Sequence, residues 1–435
     1  MSKALTKRFN NPFSALKHKN FRYYWGGMCI SLIGTWMQNI AQPWLAYSLT
    51  NSPFLLSLVG ALQFTPMLFF SLFAGVFLDR FPKKTILFFT QSASLLITLA
   101  LAMLIWSGHV QYWHILVSAV VLGLVNTLDM PAKQSFVIEL VGKEDLMNGI
   151  ALNSSVFNMA RVIGPALAGI VMGTMGIASC FFINSLSFAA LIVGLFFVHP
   201  MAVHGIGNRD GEMLSDIKNG LKYIARNKTI SSTIQTLAIV GIFAMNFSVL
   251  VPVFAKQILG QQETGFSFLM SFVGLGSFTG AMIIATMSKS GPKKFVLNVM
   301  PLFIAALLIL TGFTHNFILT GLSLAATGLC FVAFASTSNS TLQLNATDEY
   351  RGRVMSIFTL VFGGAVPIGS LFTGLICDRF GPKAGFIACG GCLFLLMGAR
   401  YLYERKTGKT AAERILFHQM SGSSRLTVQP AFRKQ

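Results

Sequence analysis

Residues 23–78, YYWGGMCISLIGTWMQNIAQPWLAYSLTNSPFLLSLVGALQFTPMLFFSLFAGVFL, contain no Asp, Glu, Lys or Arg. A single helix of this length would reach roughly 84 Å, whereas the hydrocarbon core of a bilayer is only about 30 Å thick. The stretch therefore has to fold back once, and the turn residues Asn51, Ser52 and Pro53 mark the place. Residues 295–347 repeat the pattern, so the sequence predicts successive membrane-spanning helices.

The composition of the whole chain is that of an integral membrane protein. Of its 435 residues, 54% are apolar and only 11% are charged, and the mean hydropathy is +0.65. Such a chain has too little charge to cover a soluble body of its size. Apolar runs between polar breaks predict an all-α polytopic membrane protein with twelve spans. These are 22–48, 54–78, 86–107, 111–131, 146–172, 176–198, 230–254, 265–288, 295–314, 316–341, 353–377 and 383–403.

The net charge of +19 raises the question of nucleic-acid binding, but its distribution argues against that function. The basic residues lie in short breaks between apolar runs, without any motif that reads DNA or RNA. If the N-terminus is cytoplasmic, 29 of the 33 Lys and Arg residues lie on the cytoplasmic side. Only Lys256, Arg379 and Lys383 lie outside. Because loops rich in Lys and Arg stay inside, we expect a multi-pass protein of the cytoplasmic membrane with both termini in the cytoplasm.

The longest polar break divides the chain into two halves of similar length. Within it, Leu214, Ile217, Leu221 and Ile224 recur at helical spacing among charged residues, which predicts an amphipathic surface helix. The alternative interpretation is a helix that binds a calmodulin-type partner. The predicted parts are an N-terminal cytoplasmic tail 1–21, a six-helix bundle 22–198, a linker 199–229, a second bundle 230–403 and a cytoplasmic tail 404–435.

An internal repeat indicates that the two halves are related. EDLMNGIALNSSVFNMARVIGPALAGI, from Glu144, aligns without gaps with EYRGRVMSIFTLVFGGAVPIGSLFTGL, from Glu349. Gly164 matches Gly369 in this alignment, and other identical residues flank that pair. Since transporters are commonly built from duplicated bundles, the repeat predicts six helices plus six.

The segment GVFLDRFPKK, residues 75–84, resembles the signature between helices 2 and 3 of the major facilitator superfamily, with Pro82 in place of the second glycine. The resemblance implies the major facilitator fold and a gate at the cytoplasmic face. Asp129 is the expected partner of Arg80. The alternative is that these residues only anchor the loop and set orientation. The predicted gate residues here are Gly75, Asp79, Arg80, Lys83, Lys84 and Asp129.

The fifth predicted span carries ARVIGPALAG, residues 160–169, which resembles the Gly-Pro motif of the superfamily's antiporters. The resemblance assigns Gly164, Pro165 and Gly169 to a hinge, with tight helix packing as the alternative. The run LDMPAKQSFVIELVGKEDLMNGIALNSS, from Leu128, is similar to the third drug:proton antiporter family, which includes macrolide efflux proteins and the enterobactin exporter. This similarity implies proton-coupled export of drug-, macrolide- or siderophore-like molecules by alternating access.

Arg161 is the one charge that the predictions place deep in a span, where an arginine costs about 2.5 to 3.5 kcal/mol by insertion scales. It therefore needs either an internal cavity or a shell of backbone carbonyls and amides that would make it a structural pin. In the cavity interpretation it attracts an anionic or carbonyl-rich substrate. The predicted cavity residues are Gln38, Gln42, Gln63, Ser154, Asn158, Arg161, Gln235 and Asn246.

No Asp or Glu is predicted deep within a span, so proton coupling follows only from the resemblance, with Asp79, Asp129 and Glu139 as candidates near the inner face. A transporter of lysophospholipids or nutrients with the same fold is an alternative. A membrane enzyme or sensor is disfavoured because the seven histidines are scattered, and no nucleotide-binding loop is present. We expect no cofactor or metal, and a monomer whose partners are the bilayer, a small substrate and protons.

Overall fold

The computed structural model describes residues 13–199, 213–287 and 291–423, and these are almost entirely helical. A short 3₁₀ turn, Ser14–Lys17, precedes the α-helices. The helices of the described part are α1 (Lys19–Thr50), α2 (Pro53–Arg80), α3 (Lys83–Trp106), α4 (Tyr112–Val141), α5 (Leu146–Met175), α6 (Ile177–Phe196), α7 (Met213–Arg226), α8 (Lys228–Ala244), α9 (Phe247–Gln257), α10 (Glu263–Met287), α11 (Lys294–Phe313), α12 (Phe317–Asn345) and α13 (Asp348–Ser423). The predicted tails and linker lie partly outside the described residues.

Within the described residues, ten segments are long and apolar enough to cross a bilayer. One of them, 349–402, bends at Gly381, whose φ of 83° favours glycine, and so provides two spans of α13. With α1, whose polar residues lower its hydropathy, the total is twelve. The predicted fold class, an all-α membrane protein of twelve helices, is therefore confirmed.

The first turn forms where the sequence predicts it. Asn51 ends α1 in the left-handed region, with φ 50° and ψ 16°. Ser52 then caps α2, because its side chain accepts a hydrogen bond from the Leu55 amide, and Pro53 begins the helix.

Several helix boundaries differ from the predicted ones. The seventh span is divided between α8 and α9, which meet at Met245 and Asn246. The fourth span continues ten residues beyond its predicted end at 131, through Pro131, because Phe136 and Val141 are buried on the extension. A proline is tolerated when neighbouring groups satisfy the freed carbonyl. Helix α13 also continues past residue 403, to Ser423.

The two halves of the chain form two packed groups of helices, α1–α6 and α8–α13. Between the groups, α5 packs on α10, and α2 packs on the first part of α13. Small residues allow this approach: a Cβ at Gly274 of α10 would lie 2.5 Å from the carbonyl oxygen of Arg161 in α5.

Among the described residues, several hydrogen bonds join the two halves at the end of the molecule that contains the Asn51 turn and the Gly381 bend. We call it the closed end, and the opposite end, where α1 begins and α6 finishes, the linker end. At the closed end Ser52 Oγ donates to Asp378 Oδ1 at 2.9 Å, and Lys256 Nζ donates to Asn51 Oδ1 at 2.8 Å. Such bonds hold the halves together at this end.

Candidate functional site

A cavity of about 260 Å³ lies between the two halves. One wall comes from α1, α2 and α5, and the other from α9, α10, α12, α13 and the α8–α9 junction. Much of its lining is aromatic or methionine, namely Trp36, Phe64, Phe247, Phe331, Met245 and Met270. The polar side chains at its surface are those of Asn39, Gln42, Gln63, Arg161 and Ser248. Among the described residues that line it, Arg161 alone is charged.

Arg161 has an aromatic neighbour and no acidic one. Its guanidinium carbon lies 5.8 Å from the centroid of the Trp36 ring. It takes part in none of the ion pairs observed among the described residues. Gly164, one turn further along α5, permits this arrangement, because a Cβ there would collide with the Cβ of Trp36. A cation–π contact attracts the charge but occupies none of the five N–H donors of the arginine.

A chain of amide hydrogen bonds behind the cavity wall determines how Gln42 is oriented. Asn184 Nδ2 donates to Gln38 Oε1 at 2.5 Å, and the Thr98 hydroxyl donates to the same oxygen at 3.3 Å. Gln38 then has its amide nitrogen free to donate, and it does so to Gln42 Oε1 at 3.3 Å. Gln42 is only 3% exposed, and its Nε2 is buried without a hydrogen-bond partner. The amide oxygen of Gln42 therefore accepts a hydrogen bond, while its amide nitrogen has no acceptor.

The predicted cavity residues thus fall into two groups. Gln42, Gln63 and Arg161 line the cavity, whereas Gln38 lies behind Gln42. The remaining predicted residues are not among the lining residues: Asn158 donates to the Ser154 carbonyl, the exposed Gln235 contacts Ser231, and Asn246 donates to the Ile242 carbonyl.

The sequence interpretation missed Trp36, Asn39 and Ser248. Trp36 offered a signal, because it is the one tryptophan that does not lie near the end of a predicted span. Asn39 lies three residues further along and, at helical spacing, on the same face. Ser248 offered no such signal. It lines the cavity from the beginning of α9, and the sequence did not predict the break between α8 and α9 that precedes it.

Asp129 lies further inside its helix than the sequence predicts. Because α4 continues to Val141, Asp129 lies roughly 18 Å before the end of its helix. It is only 6% exposed. Thr90 Oγ1 and Gln91 Nε2 donate to it at 2.8 and 2.7 Å, and Lys133 forms an ion pair with it at 2.7 Å.

The expected pairing of Asp129 with Arg80 is not observed. Arg80 is exposed, and Lys133, one turn along the same helix, pairs with the carboxylate instead. Lys83 forms an ion pair with Glu139, and Lys84 donates to the Val198 carbonyl at 2.7 Å, so both bind within the first half. Gly75 and Asp79 lie in the last part of α2, and the side chain of Asp79 is outside the described part.

The predicted hinge residues of α5 lie at helix contacts. Gly164 faces Trp36 of α1, and Pro165 lines the cavity. Gly169 faces α10, where a Cβ would lie 2.8 Å from the Cβ of Ser267. The same motif therefore contacts both a helix of its own half and a helix of the other half.

At the linker end, the 3₁₀ turn Ser14–Lys17 and the following His18 bind the loop between α4 and α5. Ser14 Oγ donates to Asp145 Oδ1 at 2.6 Å, and His18 Nε2 lies 2.8 Å from Asp145 Oδ2. The hydrogen bonds from Ser14 and then His18 lower the pKa of the Asp145 carboxyl below its ordinary value.

The family described as Transmembrane secretion effector (MFS_3) matches residues 10–424, almost the whole chain. The chain belongs to this major facilitator family. The transporter is similar to the staphyloferrin A transporter of Staphylococcus aureus, with 23% identity over 88% of this chain and 96% of the relative. The multidrug efflux pump Tap of Mycobacterium tuberculosis is also 23% identical, over 80% of this chain and 85% of that protein. The macrolide efflux protein A of Streptococcus pyogenes is 20% identical, over 85% of this chain and 92% of that protein.

Solved structures support the fold of this transporter. A mutant of the nucleoside transporter NupG superposes with a TM-score of 0.72 at 11% identity, covering 88% of this chain and 98% of that one. A D-xylose–proton symporter superposes with a TM-score of 0.67 at 13% identity, covering 88% of this chain and 95% of that one. Family and fold together confirm a major facilitator transporter rather than an enzyme.

Proposed function

We propose that this transporter exports small amphiphilic molecules across the cytoplasmic membrane by alternating access and proton antiport. The observation that carries the proposal is a cavity whose wall is supplied by both halves, with hydrogen bonds joining the halves at the closed end. A site between two bundles opens to either side in turn when the bundles rock around it.

The lining of the cavity supports an amphiphilic substrate. Aromatic and methionine side chains offer an adaptable apolar surface, while a few polar groups orient the ligand. Export is supported by the relatives, whose names include a multidrug efflux pump and a macrolide efflux protein.

The distribution of basic residues supports an orientation with the linker end toward the cytoplasm. The basic residues cluster in the tails and loops at that end, while Lys256, Arg379 and Lys383 belong to the closed end. Both termini then face the cytoplasm. One chain supplies both walls of the cavity, which supports action as a monomer.

Asp129 is the proposed carrier of the coupling proton. A buried carboxylate inside a membrane helix is costly, and such groups often serve in proton relays. Protonation would break its ion pair with Lys133 while leaving Thr90 and Gln91 in place as polar neighbours. Asp129 is not among the residues that line the cavity, so proton and substrate would occupy separate sites.

Transport into inverted membrane vesicles tests the proposal. Vesicles acidified inside should accumulate at least one member of a panel that comprises ethidium, erythromycin, a catecholate siderophore and the amphiphilic carboxylate dansylglycine. Collapse of the pH gradient should abolish the accumulation. The Asp129→Asn protein should lose the dependence on the gradient, whereas Gln235→Ala, at an exposed site outside the cavity, should behave as the unmodified protein. Accumulation of none of these compounds would refute export, and accumulation that ignores the gradient would refute antiport.

A further inference from the structure

The polar surface of the cavity contains one amide whose direction is fixed. The side-chain amides of Asn39 and Gln63 can present either oxygen or nitrogen, because no described hydrogen bond constrains them. Gln42 differs, since its oxygen accepts from Gln38, whose own oxygen is occupied by Asn184 and Thr98. The Gln42 amide nitrogen is therefore an N–H donor that is buried in the wall of the cavity and has no partner among the described residues.

An unpaired, buried donor costs free energy unless a ligand satisfies it. Arg161 adds five more donors and a positive charge to the same cavity, and it has no counter-ion among the described residues. A permanently cationic ligand would meet the repulsion of Arg161 without a lining carboxylate to offset it. A ligand that carries negatively charged oxygens would satisfy both groups.

We propose that the cavity binds an amphiphilic carboxylate, whose oxygens accept hydrogen bonds from Arg161 and the Gln42 amide while its apolar body packs against the aromatic wall. This inference deepens the proposed function and rests on it for the direction of transport. Trp36 contributes to both parts of the site, because its ring lies beside the guanidinium and also lines the cavity.

The matched probes dansylglycine and dansylglycinamide test the inference, since they share a fluorophore and differ mainly in the carboxylate. Binding to the full-length protein in nanodiscs is measured by energy transfer from tryptophan to the dansyl group. We expect the carboxylate to bind at least about tenfold more tightly than the amide, as a charge-assisted hydrogen bond in a buried site allows. Arg161→Gln should reduce the ratio of the two probes' affinities to about one. Arg161→Lys should retain part of it, because lysine keeps the charge but not the fork of donors.

Gln42 supplies an isosteric control. Gln42→Glu replaces the donor with a carboxylate of the same size and should abolish binding of dansylglycine, whereas Gln42→Leu should weaken it only several-fold. Gln235→Leu, at the exposed residue outside the cavity, should have no effect. If Arg161→Gln does not give a monodisperse protein, the comparison of the two Gln42 variants decides the question.

Equal affinity for the two probes, or a preference that survives Arg161→Gln, would overturn the inference. So would equal binding by the Gln42→Glu protein and the unmodified one. If vesicles accumulate ethidium or erythromycin but neither dansyl probe binds, the carboxylate site is refuted and export stands. If dansylglycine binds with the expected preference but no compound is accumulated, the site stands and the proposed export fails.

Discussion

Replacing Asp378 by alanine should loosen the closed end and populate a state in which that end is open. The Asp378 carboxylate accepts hydrogen bonds from Ser52 Oγ at 2.9 Å and from the Phe54 amide at 3.4 Å, across the two halves. It also lies at the N-terminus of α2, where a negative charge is favoured. Because the site is exposed, each contribution falls near the lower limit for such contacts. Their sum is about 1 to 2 kcal/mol, which corresponds to roughly a 5- to 30-fold change in the equilibrium between the closed and open states of this end.

Double electron–electron resonance measures this equilibrium directly. Spin labels at His109 and Gln262, which are exposed on opposite halves at the closed end, would be placed in a background without the six native cysteines. The unmodified protein should show mainly a short distance. Asp378→Ala should raise the population of a longer distance by the stated factor, and Asp378→Asn should raise it less, because asparagine keeps an acceptor oxygen.

Arg379→Ala provides the matched control, since Arg379 is the exposed neighbouring residue and also carries a charge. It should leave the distance distribution unchanged. The two substitutions change the net charge in opposite directions, so an equal shift would mean that any disturbance of this part of α13 opens the closed end. The hydrogen bonds to α2 would then not hold the closed end together.

Three further substitutions probe other parts of the molecule. Asp129→Asn should abolish gradient-driven accumulation in vesicles, while binding of the dansyl probes stays within about twofold, because the lining of the cavity excludes this residue. Gly169→Leu should reduce transport at least about tenfold by separating α5 from α10, whereas Gly391→Leu, where the added side chain begins in open space, should not. Asp145→Asn should lower the melting temperature at neutral pH, since a carboxyl with a lowered pKa stabilises the fold above its unfolded pKa of about 4. That difference should vanish in scans at lower pH, as the pH falls through the pKa of folded Asp145, and a constant difference would contradict this account.

The number of spans could be predicted because membrane helices need long apolar runs and every loop here is marked by charge or turn residues. The same logic misplaced the end of the fourth span. Asp129 and Pro131 look like a terminus by sequence, yet the helix continues because Phe136 and Val141 are buried against neighbouring helices. A boundary determined by packing between helices cannot be read from one segment alone.

The cavity could be predicted only in part, for a related physical reason. Of the residues that helical spacing groups, Gln38 with Gln42 and Ser154 with Asn158 and Arg161, only Gln42 and Arg161 line the cavity. Helical spacing shows which face of a segment is polar. Helical spacing does not show which polar faces bind one another. Gln38 lies on the same face as Gln42, but its amide oxygen accepts hydrogen bonds from Thr98 of α3 and Asn184 of α6. Hydrogen bonding between helices therefore separates structural amides from those available to a ligand.

The charge of the ligand also determines what the proton has to do. The export of a carboxylate moves negative charge out of a cytoplasm that is already negative, so the membrane potential contributes about 2.3 kcal/mol per 100 mV without any coupling ion. A neutral molecule gains nothing from the potential alone and depends entirely on the proton. If Arg161 selects carboxylates and Asp129 carries the proton, Asp129→Asn should impair the export of neutral compounds more than that of anions. Equal losses for both would mean that Asp129 controls the movement of the helices rather than the energy of transport.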